Sequence, residues 1–495
     1  MTSAGLTVVA RVAGREAAGV PFRALVVAGG TIVALGAGVA TRIGQLHPGL
    51  LYPDGYQYLL MARGLAEHGN PTGRLGPAGD LFVPSADAAA KPLYPLLIAV
   101  ADRIGVPPVE AARWITALAA GIVLVLAGTL VFRLTGSWLG AAVAWGTCLA
   151  SPTLGYWSGF AGPDPLAQAL ALGAGAAAVS RRPTLAGVLG GLAITTRPEF
   201  AVIAVGCLAV ASVATRDSRR AAGSAATAGL VTVGAVLVVV RPPIETPGWP
   251  LIIAGLGAAA IAAAASIGAA RSSLVGLVAC GAAVTLVAGT TAGSAVVSSD
   301  LLIVFGGLVG LGAAALSGRL RAPAGILAVC SASLAYLYGV KNPGSDRYLA
   351  ALIPMAAIAV GLGTSLLQER RMRLLAAVAL AIGLALSVAV APSRPSAGTD
   401  VFAAIAPQLT DRPDLPLLTA APDAFGYLLP LRSVRVLRPG SRGLVLLDGS
   451  QRLFEPGLAA KGKLLATFDQ AEFRRPDGTI DHGDISLVQG VVVRR

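Results

Sequence analysis

A mainly α fold is predicted for this sequence: a polytopic bundle of about thirteen membrane-spanning helices followed by a small C-terminal α/β domain. Three observations carry that expectation. The 495 residues are 55% hydrophobic and only 13% charged, with a mean hydropathy of +0.74, whereas soluble domains carry about a quarter charged residues. Long runs of Ala, Val, Leu and Gly recur at the length a bilayer requires, about 20 residues. From Pro392 onward those runs stop and Asp, Arg and Pro become frequent.

In chain order the apolar runs place spans at 24–44, 112–133, 137–155 and 165–180. A broken helical hairpin follows at 184–196 and 199–214, then spans at 221–240, 250–270, 272–292, 301–318, 322–340, 348–367 and 374–391. Arginines test the count. Arg11, Arg15 and Arg23, then Arg133, Arg181, Arg216, Arg271, Arg319 and Arg370, all fall on one side of such a bundle. The positive-inside rule makes that side cytoplasmic. The N-terminus is then cytoplasmic and the C-terminal domain extracytoplasmic. No small-residue cleavage pattern follows the first apolar run, so the first helix reads as retained.

The net charge of +13 does not point to nucleic acid. Its basic residues are scattered in short loops, where they set topology and meet lipid headgroups. Cys148, Cys207, Cys280 and Cys330 lie inside apolar runs without a paired spacing, so they read as small hydrophobic residues. His47, His68 and His482 share no ligand spacing; no metal or other cofactor is indicated.

The polar segments gather on the outer side. The loop 45–91 carries Asp54 just beyond the first span, then an amphipathic helix from Asp54 to Gly69 expected to lie along the interface. Asn70-Pro71, Gly73, Gly76-Pro77 and Gly79 break that helix into irregular chain. Lys91-Pro92-Leu93-Tyr94-Pro95 opens a second short helix to Ile104. These segments complete the domain 1–391. In the domain 392–495, Leu417–Ala420, Val434–Leu437, Gly443–Leu447, Leu464–Phe468, Ala471–Arg474 and Ile485–Val493 read as strands. Pro422–Leu429 and Phe454–Lys461 read as helices.

Five motifs follow one another in a recognisable order. After Asp54 and Lys91 come Gly162-Pro163-Asp164-Pro165 at the fourth span, Thr196-Arg197-Pro198-Glu199 in the broken hairpin, and Asp346-Arg347-Tyr348-Leu349 heading a late helix. Over residues 20–370 this order resembles the GT-C class of membrane glycosyltransferases. That class includes protein O-mannosyltransferases, the lipid A aminoarabinose transferase and the arabinosyl- and mannosyltransferases of actinobacterial envelopes. The resemblance implies a membrane enzyme acting on the non-cytoplasmic side, and the Ala-, Gly-, Arg- and Val-rich, lysine-poor composition suggests a high-GC bacterium, which favours arabinose or mannose donors. Such an enzyme would take a polyprenyl-phosphate-linked sugar to a glycan, lipid or protein acceptor, with inversion. The class places its base on the first outer loop, which falls on Asp54. Several members carry a paired acidic motif there; this chain has the single Asp54 between Pro53 and Gly55.

The residues suit that chemistry. A sugar hydroxyl is a poor nucleophile, so a carboxylate must take its proton. Asp54 beside an apolar wall is expected to have a raised pKa; Pro53-Asp54-Gly55 also fits a plain turn or helix cap. Negative charge grows on the leaving phosphate, and a guanidinium there stabilises it. Arg347, with Lys341 and Tyr348, is the expected phosphate site, the plainer reading being a basic loop at the headgroups. Asp164, Arg197, Glu199 and Lys91 are candidate substrate contacts. Asp164 also fits a helix cap, and Arg197 with Glu199 also fits a self-satisfied ion pair. Tyr58 is a weaker candidate for stacking on sugar, and Arg63 with Glu67 reads as a solvated pair on one helix face. A transporter or flippase is the competing reading, since a broken helix also suits a midplane transport site. Convergence of Asp54, Asp164, Arg197 and Arg347 on one outward cavity separates the two.

Overall fold

The computed structural model describes residues 35–36, 38–40, 54–203, 218–241, 273–288, 290–341, 346–367, 405–409, 414–419, 422–447, 458–468, 473–474, 480–481 and 485–494. The spans expected at 250–270 and 374–391, most of that at 24–44 and most of 199–214 lie outside the described residues.

The outer loop supplies α1 (Asp54–His68), a hairpin of β1 (Gly73–Arg74) and β2 (Leu81–Phe82), α2 (Ala86–Ala89) and α3 (Leu93–Arg103). Then come α4 (Pro108–Thr135), α5 (Trp138–Ala150), α6 (Pro152–Ser158), α7 (Asp164–Val179) and α8 (Pro183–Thr196), with a 3-10 turn at Pro198–Phe200. The bundle continues through α9 (Ser218–Val240), α10 (Ser273–Ala288), α11 (Thr291–Leu316), α12 (Arg321–Lys341), α13 (Asp346–Leu349) and α14 (Ile353–Ser365).

Among the described residues, three helices are long and apolar enough to cross a membrane: Pro108–Thr135, Ala222–Val240 and Arg347–Ser365. α4 shows why its ends fall where they do. Pro108 occupies the first helical position, where its missing N–H costs nothing, and Gly136 ends the helix with φ 74°. Its 28 residues reach about 42 Å at 1.5 Å per residue, enough to cross the bilayer core. Small residues let neighbouring helices close up, as membrane packing favours. A Cβ on Gly140 of α5 would come within 2.6 Å of the Gly361 carbonyl on α14, and the reverse holds equally.

The loop left between the spans expected at 272–292 and 301–318 is largely helical. α11 runs through it, and the helix breaks only at Asp300 (φ −122°, ψ 27°). The buried Asp300 carboxylate accepts the Thr153 backbone N–H at 3.3 Å, near the start of α6. A buried carboxylate thus satisfies an otherwise unmet donor at a helix start.

The C-terminal region forms a five-stranded mixed sheet in the order β4-β3-β5-β9-β6. Its strands are β3 (Leu417–Thr419), β4 (Val434–Val436), β5 (Arg442–Leu447), β6 (Leu458–Phe468) and β9 (Ile485–Arg494). β3 runs parallel to β4 and β5, while β9 is antiparallel to β5 and β6. A short pair, β7 (Phe473–Arg474) and β8 (Ile480–Asp481), stands apart, and α15 (Pro422–Leu428) follows β3. The helix expected over Phe454–Lys461 is not borne out, because from Leu458 the chain is already strand β6. There Gly462 lies opposite Gly490 of β9, and the ladder decides what local pattern leaves ambiguous.

The first outer loop joins this sheet. Val434 N–H donates to the Leu75 carbonyl at 2.9 Å, and Asp80 N–H donates to the Val434 carbonyl at 3.0 Å. The segment between β1 and β2 therefore pairs with the free edge of β4. Gly76 is required there: its φ is 84°, and a Cβ would fall 1.8 Å from the Arg432 carbonyl.

α1 is not the interfacial helix its pattern suggests. Tyr56, Tyr58, Leu59, Leu60, Met61, Ala62 and Leu65 are all buried, which covers most of its circumference. They share one core with Ile98 of α3 and with Leu417, Phe425 and Val434 of the C-terminal region. A helix apolar on nearly all sides must be enclosed, and two layers enclose this one.

Candidate active site

Five of the residues singled out above form one chain of alternating charge. Arg347 Nη1 donates to Asp54 Oδ2 at 2.8 Å, and its Nε donates to Asp164 Oδ2 at 2.8 Å. Arg197 Nη1 pairs with the other oxygen of Asp164, and its Nε lies 3.7 Å from Glu199 Oε2. Asp54 is the most exposed member at 27%, the other two carboxylates are at 16% (Asp164) and 12% (Glu199), and the guanidinium groups are the most buried, 9% at Arg347 and 3% at Arg197. The cluster is most accessible at Asp54, while its two arginines are buried.

Local sequence sets each position. Asp54 stands in the first turn of α1, where the helix dipole favours a carboxylate. Asp164 opens α7 after the Gly162-Pro163 bend. That bend is tied to α4, since Gly162 N–H donates to Thr116 Oγ1 at 3.1 Å and the Tyr94 hydroxyl bonds the same Thr116 oxygen at 3.1 Å. Arg197 is extended (φ −154°, ψ 114°) at the end of α8, the conformation that a following proline enforces. The helix break expected at Thr196–Pro198 is therefore present, and it turns Arg197 toward Asp164.

Tyr348 lies under the guanidinium groups. Arg197 Cζ is 4.9 Å and Arg347 Cζ 5.7 Å from its ring centroid. The Tyr338 ring stacks on it at 5.4 Å with an interplanar angle of 30°. Cation–π contact and the two ion pairs together fix the guanidinium planes.

Lys91 is buried and pairs with Asp87 four residues earlier, on α2. Its charge still acts on Asp54. α2 is itself capped: Ser85 Oγ accepts from Ala88 N–H at 3.2 Å and donates to Gln57 Oε1 on α1 at 3.0 Å. Lys341 is the last residue of α12, and its side chain lies outside the described residues. Tyr58 is buried against Tyr94 in an edge-on pair at 5.6 Å, so it is core rather than a stacking platform. Arg63 does not pair with Glu67. It donates to the Tyr427 carbonyl at 3.0 Å and lies 4.5 Å over the Tyr427 ring, while Glu67 sits 3.5 Å from His68.

The acidity of Asp54 runs opposite to the expectation. Burial alone raises it, but the Arg347 guanidinium, helped by Lys91, outweighs burial and holds the carboxyl below its usual range. Among the described residues no group of three His, Cys, Asp or Glu side chains is placed to hold a metal ion.

Asp87 and Tyr338 carry no signal in loop position or charge pattern that marks them as site residues. For Asp87 the four-residue spacing to Lys91 is the available clue.

No protein-family model matches the sequence, and no curated protein sequence does. Solved structures do match. ArnT from Cupriavidus metallidurans, bound to undecaprenyl phosphate, is 16% identical with a TM-score of 0.53, over 93% of this chain and 98% of that one. The archaeal oligosaccharyltransferase AglB from Archaeoglobus fulgidus, in complex with an inhibitory peptide and a dolichol-phosphate, is 11% identical with a TM-score of 0.54, over 82% of this chain and 64% of that one. The fold is that of the GT-C membrane glycosyltransferases. Within this GT-C fold, the alternating charge chain joins α1, α7, α13 and the break after α8, bringing together residues that lie far apart in sequence.

Proposed function

We propose that the protein is an inverting membrane glycosyltransferase that moves a sugar from a polyprenyl-phosphate donor to an envelope acceptor outside the cytoplasm. The observation that carries this reading is Arg347 held between Asp54 and Asp164, at 2.8 Å from each, inside a GT-C fold. One guanidinium there touches both the expected base and a candidate substrate-contacting carboxylate. The competing transporter reading gives this arrangement, two buried arginines clamped by carboxylates around the accessible Asp54, no task.

In the proposed step the acceptor hydroxyl oxygen attacks the anomeric carbon. The bond from that carbon to the phosphate oxygen breaks, and the electron pair leaves with the lipid phosphate. Asp54 takes the hydroxyl proton as attack proceeds. Arg347 stabilises the charge that grows on the phosphate. Because Arg347 rests on Asp54 before donor arrives, donor phosphate competes for that guanidinium. Transferring Arg347 to the phosphate removes the group that depresses the Asp54 pKa, so donor binding makes Asp54 a stronger base. Asp164 and Arg197 hold Arg347 in register, and Lys91 adds positive charge on the donor side.

An apolar groove supports a lipid donor. It lies between α10, α11, α12 and α14, lined by Val284, Leu308, Leu327, Leu352 and Met355. Its lining includes Ala335 and Leu349, and Leu349 is two residues from Arg347. The sugar is proposed to be of the arabinose or mannose class. The C-terminal sheet, which covers α1, is proposed to lie on the extracytoplasmic face of a bacterial cell membrane.

The test is sugar transfer by purified protein supplied with polyprenyl-phosphate-linked arabinose or mannose and a panel of envelope glycans. Transfer by the parent that disappears in Asp54→Asn, with donor binding retained, supports the reading. Absence of donor binding by the parent overturns it.

A further inference from the structure

Tyr338 is buried to 1% exposure on α12, and its hydroxyl has no hydrogen-bond partner. A buried hydroxyl left unmet is costly, so the position calls for an explanation. Its surroundings give one. The ring stacks on Tyr348, which lies beneath Arg197 and Arg347. The hydroxyl is within electrostatic reach of Arg197, Glu199 and Arg347. One turn earlier on the same helix, Ala335 and then Ser331 line the apolar groove, and Leu349 lines it from α13. Tyr338 thus stands where the apolar groove meets the charged cluster.

Arg347 is already committed to Asp54 and Asp164 and Arg197 Nη1 to Asp164, whereas the Tyr338 O–H, like Arg197 Nε, makes no hydrogen bond. Resting on the donor reading above, we infer that Tyr338 is a further donor-binding residue, whose hydroxyl donates a hydrogen bond to the lipid phosphate at the head of the groove. The chemistry recognised is a phosphate monoester or diester on a long apolar chain. Tyr348 then acts as the platform that orients both the Tyr338 ring and the two arginines. A phosphate oxygen suits the position better than a sugar hydroxyl. It accepts strongly and brings the negative charge that Arg197 and Arg347 can share.

The experiment uses the full chain in nanodiscs and two probes, undecaprenyl phosphate and uncharged undecaprenol, against the parent and Tyr338→Phe. The substitution removes one oxygen and keeps the stacked ring, and thermal melting checks that the variant folds. About a tenfold loss of affinity for undecaprenyl phosphate, with undecaprenol binding unchanged, is the expected result. Equal affinity of parent and variant for undecaprenyl phosphate overturns the inference. An equal loss for both lipids also overturns it, because the tyrosine would then shape the groove rather than read the phosphate. A parent that shows no preference for the phosphate over the alcohol defeats the donor reading itself, and the inference falls with it.

Discussion

Arg347 Nη1 meets Asp54 Oδ2 at 2.8 Å across 293 residues of sequence. The contact joins the first outer loop to a late helix of the bundle and places a carboxylate and a guanidinium where lipid phosphate and acceptor would meet. Asp54→Asn keeps the size and hydrogen-bonding shape of the side chain but removes its basicity. Transfer is expected to fall about 10²- to 10⁴-fold, while binding of undecaprenyl phosphate persists. Single-turnover transfer measured alongside lipid binding checks both halves.

The same contact fixes a pH dependence. A base works when unprotonated, and Arg347 stabilises the unprotonated form of Asp54, so the acid limb of kcat/KM is expected below the usual carboxylate range. Arg347→Met removes the opposing charge and leaves burial, which raises the carboxyl. The acid limb of the residual activity should move upward in pH. An acid limb at the same pH in both proteins would show that Asp54 is not the titrating group.

Asp423 offers a second titration, on α15 against α1. Burial pushes its carboxyl up to about 6, opposed in part by a hydrogen bond from Gln57. The folded state therefore holds this proton more tightly than the unfolded chain does. Stability from this group is present at acid pH and falls as pH rises through about 6. Melting temperature followed from pH 4 to pH 8 should fall less steeply in Asp423→Asn than in the parent.

Arg63 fastens α1 to α15 through the Tyr427 carbonyl and ring. Arg63→Ala is expected to destabilise the protein by about 2 kcal/mol, from a charged hydrogen bond and a cation–π contact. Gly76→Ala should cost at least as much, because a methyl group there meets the Arg432 carbonyl and φ is positive. Chemical denaturation in detergent measures both.

Much of the site is legible from sequence because its residues break the surrounding apolar pattern. Asp54, Asp164 and Arg197 each stand beside proline or glycine at a break between apolar runs, Arg347 heads an apolar run three residues after Gly344, and the structure brings all four together. Tyr338 is not legible, because a tyrosine near a helix end fits a membrane boundary equally well. Arg63 misleads for a different reason. Its neighbour Glu67 is four residues away on the same helix, but its partner Tyr427 lies 364 residues further on. The pKa of Asp54 is misjudged in the same way, since apolar neighbours are visible in the sequence and the guanidinium that overrides them is not. The strand at Leu458 owes its conformation to β9, a partner that the local pattern does not show.

The pairing of the Leu75–Asp80 segment with Val434 has a consequence for biosynthesis. A ribosome makes the outer loop more than three hundred residues before the strand that completes it. Until β4 arrives, Tyr56, Leu59 and Met61 lack the layer that buries them, and the backbone groups of Leu75 and Asp80 lack their partners. A polypeptide stopped before residue 405 would leave the membrane with a sticky, unfinished loop for quality-control proteases to recognise.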